Sequence, residues 1–153
     1  MKFDISDHNN GLSIITADIY YSVTNAIKNT KCELKKHSAP MLKKKLIQKS
    51  IEEGWSGQLR IDKKTRITIT SIKDEVGLCI QLGNVSRMYA DLLKLQVLYN
   101  KSVIKAAIIV VALNASAKKM NGNMASFERL EREYALYDSI ITVPCIVIGI
   151  GED

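Results

Sequence analysis

Between Arg66 and Leu113 the apolar residues follow three different spacings in turn, and the rest of the chain is arranged around that stretch. From Arg66 to Ile72, Thr and Ile alternate, the period-two pattern of a strand with one buried face. Lys73, Asp74 and Glu75 form a polar turn, and Val76 to Leu82 reads as the returning strand of a hairpin. Gly83-Asn84 breaks that strand. From Val85 to Tyr99 the spacing becomes helical, with Val85, Met88, Leu92, Leu95 and Tyr99 on one stripe and Leu93, Val97 and Leu98 on its flanks. Val103 to Leu113 is almost wholly apolar, the composition of a central strand covered on both faces.

Upstream, Met1 to Asn10 is polar apart from Phe3 and Ile5 and adds no element to this order. Leu12, Ile15, Ile19, Val23 and Ile27 mark a first helix whose β-branched residues give it poor intrinsic propensity, so that packing must hold it. Pro40 suits the first turn of a second helix, which runs through Leu42, Leu46, Ile47 and Ile51 and stops at Gly54. Gln58 to Asp62 reads as a short strand between two turns. Downstream, Asn114 to Asn123 reads as an exposed polar loop, Ser126 to Tyr137 as a helix and Thr142 to Ile150 as a last strand near Pro144. The order α-α-β-β-β-α-β-α-β predicts an α/β fold, a mixed sheet flanked by helices, and the length fits one domain spanning residues 1–153.

Charge adds a second layer. The net charge is +6, but Lys28 to Lys49 holds eight lysines and one glutamate, so that segment carries +7 and the remainder −1. A concentrated basic segment suits a polyanion such as DNA or RNA, the plainer alternative being a solvated lysine face. No apolar run approaches the ~18–20 residues that cross a bilayer, and MKFDISDHNN lacks the apolar core of a signal peptide. Cys32, Cys79 and Cys145 have no paired spacing and read as reduced thiols, so a cytoplasmic location without membrane contact is expected.

Five segments taken in order carry a resemblance: MKFDISD at the start, VGLCIQLGN at 76–84, the helix opening Val85-Ser86, VIKAAIIVVAL at 103–113 and VPCIVIGIGED at 143–153. Together they resemble the BglII- and BamHI-like type II restriction endonucleases of the PD-(D/E)xK nuclease superfamily. The similarity covers most of the chain, although those enzymes are longer and carry further recognition elements after the last strand.

That resemblance implies a restriction-endonuclease-like fold, Mg²⁺-dependent phosphodiester hydrolysis in double-stranded DNA, and a homodimer. Such chemistry uses an acid on the first hairpin strand and, on the next strand, a second acid and a third polar residue that flank one position and so face the same side. Carboxylate oxygens suit Mg²⁺, a hard cation that polarises the scissile phosphate. The matching catalytic positions here are Thr70, Cys79 and Gln81, and Gln is also the third residue of the BglII-like branch. Neither Thr70 nor Cys79 supplies the carboxylate of the family pattern. Asp62 has the spacing of the first acid in the BamHI-like branch and is a candidate metal ligand, while Glu52 and Glu53 are candidate substitute acids from the second helix. DNA-contact candidates are Asn84, Ser86 and Arg87 at a helix start, Lys118, Lys119 and Asn121 in the following loop, and Lys43 and Lys44 on the basic helix. Two readings follow: a nuclease, or a catalytically inactive DNA- or protein-binding member of the same fold, whether a natural pseudo-enzyme or an active-site variant.

Overall fold

In the computed structural model, which describes residues 1–152, five strands form one sheet; Asp153, the last residue of the matched segments, lies outside the described residues. The chain runs β1 (Lys2–His8), α1 (Gly11–Ile14), α2 (Ala17–Lys28), α3 (Ala39–Glu52), β2 (Leu59–Arg60), β3 (Thr68–Ile69), β4 (Ser71–Lys73), β5 (Val76–Ile80), α4 (Val85–Asn100), β6 (Ala106–Ala112), α5 (Asn114–Met120), α6 (Phe127–Tyr134) and β7 (Cys145–Gly151). The sheet order is β1-β7-β6-β5-β4, with β5, β6 and β7 parallel and an antiparallel strand at each edge. β2 and β3 form a separate small hairpin.

Strand alternation divides the core in two. Val76, Leu78 and Ile80 of β5 face the same layer as Ile108, Val110, Ile146 and Ile148, packed against Ile19, Val23 and Ile27 of α2 and Leu42 and Leu46 of α3. Cys79 faces the opposite layer with Ile109, Val111 and Val147, packed against Met88, Leu92 and Leu95 of α4 and Leu130 and Tyr134 of α6. The three parallel strands are buried along their whole length, as a sheet covered on both faces requires. This is the mixed α/β architecture that the periodicity predicts.

Four differences have local causes. Met1 to Asn10 contains a strand, because β1 pairs antiparallel with β7 from Lys2↔Gly151 to His8↔Cys145. It lies at the sheet edge and buries its side chains only in part, so it leaves no apolar period to read. The first helix is two: α1 ends at Ile14, and the extended Thr16 starts α2. Residues 114–120 are helical, not a loop; α5 buries only Ser116, Ala117 and Met120, a stripe too short and too polar to stand out. The last strand starts at Cys145, after Pro144, whose nitrogen has no hydrogen to donate and whose carbonyl accepts from Ala107 N at 2.8 Å.

The predicted first hairpin strand is also divided. β3 pairs with β2 and β4 with β5, and Thr70 is the bend between them. Asp74 and Glu75 make the β4–β5 turn, both with positive φ (46° and 62°), as a two-residue hairpin loop of the mirror-image type demands.

Candidate functional site

Period-two geometry puts Cys79 and Gln81 on the α4 side of β5. Gln81 lies just past the strand and continues its ladder by donating from its backbone N to Val110 O at 2.8 Å. Its buried amide is used at both ends. Gln81 Nε2 donates to Asp91 Oδ2 at 2.6 Å, and Gln81 Oε1 accepts from Gly83 N at 2.9 Å. Gly83 allows that close turn, because a Cβ there would lie 2.8 Å from Gln81 Oε1.

Asp91 comes from the sheet-facing stripe of α4, beside Met88, Leu92 and Leu95, and is buried. Its second oxygen accepts from Lys94 Nζ at 2.7 Å, one helical turn on. Thr70 reaches the same place from the bend between β3 and β4, and its Oγ1 accepts from Ile80 N at 2.9 Å. Cys79 is 1% exposed, and burial pushes its thiol well above the ordinary thiol range, with the neighbouring Asp91 charge acting in the same direction.

Thr70, Gln81, Asp91 and Lys94 line a cleft of about 460 Å³, joined by Lys43 from α3 and Arg87 from the first turn of α4. Three cationic side chains and one carboxylate give its walls a net charge of +2. The predicted third residue and the predicted first-acid position are therefore brought together, with Cys79 buried behind them.

This donor set does not fit Mg²⁺. A hard divalent ion needs several free oxygens, carboxylates above all. The cleft offers one carboxylate, one oxygen of which accepts from Gln81 and the other from the Lys94 ammonium, a cation already placed where the ion would sit against it. The hydroxyl of Thr70 is neutral, and the Cys79 thiol is soft and protonated. Among the described residues no group of three or more His, Cys, Asp and Glu side chains is placed to hold a metal ion.

The substitute acids lie elsewhere. Asp62 Oδ1 accepts from Lys64 N at 2.6 Å and Thr65 N at 3.2 Å, closing a turn. It borders a neighbouring apolar recess with Ile61, Ile67, Leu93 and Val97, not the polar cleft. Glu52 is exposed and bound to Lys49 at 2.6 Å, which holds its carboxyl below the usual range. Glu53 ends α3, where its backbone carbonyl accepts from Lys73 Nζ at 2.7 Å.

The DNA-contact candidates converge better. Asn84 caps α4 by accepting from Arg87 N at 3.1 Å. It pairs across an isolated bridge with Met124, and Asn84 and Asn121 border one recess with His37. Lys118 and Lys119 close α5 beside Lys36, and Lys119 also pairs with Glu152. Ser86 and Lys44 are exposed, on α4 and α3 respectively. These segments meet at the carboxyl ends of β5 and β6, where open α/β sheets place their ligands. Asp91 and Lys94 were not among the predicted site residues. Their one sequence signal is an acid three positions after Met88, on the side of the helix meant for the sheet.

The Endonuc-BglII family profile, restriction endonuclease BglII/BglIII, matches residues 3–150. Two solved structures share the fold. "Crystal structure of restriction endonuclease BGLII complexed with DNA 16-mer" superposes with a TM-score of 0.89 at 14% identity, over 100% of this chain and 79% of that one. "Crystal structure of free BglII" gives 0.80 at 17% identity, over 100% and 81%. A search of curated proteins finds none that matches. A profile match across nearly the whole length, with the same fold, places the chain in the BglII/BglIII restriction endonuclease family.

Proposed function

We propose that this chain binds double-stranded DNA and, with the residues it carries at Thr70 and Cys79, does not hydrolyse it through Mg²⁺. One observation carries the second half of the reading: the cleft holds a single carboxylate, Asp91, already bonded to Gln81 and to the Lys94 ammonium, which is too few oxygens for the ion. The first half rests on family membership and on charge. Lys43, Arg87 and Lys94 line the cleft, and Lys36, Lys118 and Lys119 line a separate recess beside α5. A backbone-binding surface needs such cations and loses affinity as salt rises.

A homodimer fits a specific surface. Leu93 (53% exposed), Val97 (40%) and Ile67 (49%) form one apolar recess, and Leu93 also borders a second with Tyr137 and Ile140. Apolar patches of this kind mark contact sites. Leu93→Glu would then turn a dimer into a monomer in analytical ultracentrifugation.

The test of DNA binding is fluorescence anisotropy with a labelled duplex and a single strand of the same sequence. Saturable binding to the duplex that weakens with salt supports the reading. No binding to the duplex at low salt removes it.

A further inference from the structure

In the cleft of this family member, a fixed ammonium lines the same space as Thr70 and Gln81, two of the three positions that match the family pattern. Lys94 Nζ is bound at 2.7 Å to a carboxylate that is itself anchored to the end of β5 through Gln81. Its side chain is 27% exposed, so the charge is half-sunk yet open to the cleft. Asp91 uses one oxygen on it, and an ammonium has three hydrogens to donate. Arg87 lies over Gly83, where a Cβ would come within 3.4 Å of Arg87 Cδ, and Lys43 lines the same cleft from α3. Three cations from two helices thus face one space, and Asp91 neutralises only one of them.

We infer that this cleft is a metal-independent phosphate site, in which Lys94, flanked by Lys43 and Arg87, receives a backbone phosphodiester of duplex DNA. The inference rests on the DNA-binding reading above and adds to it where one phosphate sits and what replaces the metal there. The ammonium of Lys94 is a positioned point charge, and the guanidinium of Arg87 supplies a planar pair of donors suited to phosphate oxygens. No bond is made or broken in this step.

The experiment measures duplex affinity against salt concentration for the natural chain, Lys94→Gln and Lys94→Arg, in EDTA and in Mg²⁺ at matched ionic strength. Gln keeps a donor for Asp91 without the charge, and Arg keeps the charge; circular dichroism and melting confirm that both fold. Expected is equal affinity with and without Mg²⁺, a loss of about tenfold in Lys94→Gln, a log–log salt slope smaller by about 1, and recovery in Lys94→Arg. A parallel arm follows the melting temperature with inorganic phosphate, which should raise that of the natural chain more than that of Lys94→Gln.

If the duplex binds but Lys94→Gln keeps the full salt slope, the cleft assignment is wrong and the DNA-binding reading stands. Affinity that requires Mg²⁺ overturns the metal-independent site. If the duplex does not bind while inorganic phosphate still stabilises through Lys94, the DNA-binding reading falls, and with it the duplex as the source of the phosphate. If neither probe binds, both readings fall.

Discussion

Gln81 Nε2 donates to Asp91 Oδ2 across 2.6 Å, joining the end of β5 to the buried stripe of α4. That contact turns a carboxylate beside Met88, Leu92 and Leu95 on the buried face of α4 into part of the cleft lining. Asp91→Ala removes the acceptor for Gln81 and the partner of Lys94 at once. A buried donor left unpaired costs about 1–3 kcal/mol, and the partly exposed Lys94 adds little, since water can reach it. Asp91→Ala should therefore lower stability by roughly 1–3 kcal/mol in urea unfolding. Asp91→Asn keeps one acceptor and should cost less. Equal stability of Asp91→Ala and the natural chain would show that the bond joins nothing of consequence.

The β4–β5 turn is strained in a way that substitution can relieve. Asp74 and Glu75 both hold positive φ, a region that suits Asn and Gly and not Glu. Glu75→Gly leaves the backbone as it is and gives up only an exposed 3.7 Å ion pair with Lys105. The melting temperature should rise if the strain relieved, about 1–3 kcal/mol, exceeds the added freedom of the unfolded chain, about 0.4–1 kcal/mol. A lower melting temperature would mean that the Glu75 side chain matters more than its backbone.

Two buried thiols should limit stability in alkali. Burial raises the Cys145 thiol from 9.0 to about 12, and it raises Cys79 as well. Unfolded, both ionise near 9.0. The unfolded state therefore loses protons first, and stability present below pH 9 falls as pH rises from about 9 towards 12. Urea midpoints at about pH 8 and about pH 10 measure this, and Cys79→Ala/Cys145→Ala should show a smaller drop than the natural chain. The same burial leaves Cys32 as the one thiol to react quickly with a chromogenic disulfide in the native state.

If the replaced acids are what excludes the metal, returning them should admit it. In the double variant, Thr70→Asp would place a second carboxylate in the cleft beside Asp91, and the longer side chain of Cys79→Glu would extend towards it from the buried position behind. Mn²⁺ titration followed by electron paramagnetic resonance should detect a bound ion in this variant and none in the natural chain. Binding of equal strength by both would locate the metal at other residues.

The layers were legible in the sequence wherever both faces of an element are buried or one face is regular. Val103 to Leu113 and the stripe from Met88 to Leu95 fall in this class, and they fix the centre of the fold. What escaped was held by partners distant in sequence. β1 exists because β7 offers it a backbone ladder, and α5 because Ala117 and Met120 find a core made by other elements. In the site, Thr70, Cys79 and Gln81 could be picked out because they share one hairpin and a family pattern. Asp91 and Lys94 could not, because their role depends on which side of α4 meets the end of β5. Asp62 has the spacing of an acid in a related branch, yet the small hairpin folds it into its own turn.

The account turns on a cleft that belongs to a nuclease family but keeps no oxygen set for the ion, and plasmid cleavage tests it most directly. Supercoiled DNA would be incubated with the natural chain in Mg²⁺ and then in Mn²⁺, with EDTA as control, under conditions in which duplex binding is measurable. The account predicts that the plasmid stays supercoiled with either metal. Nicked or linear product that appears with metal and disappears with EDTA would contradict it.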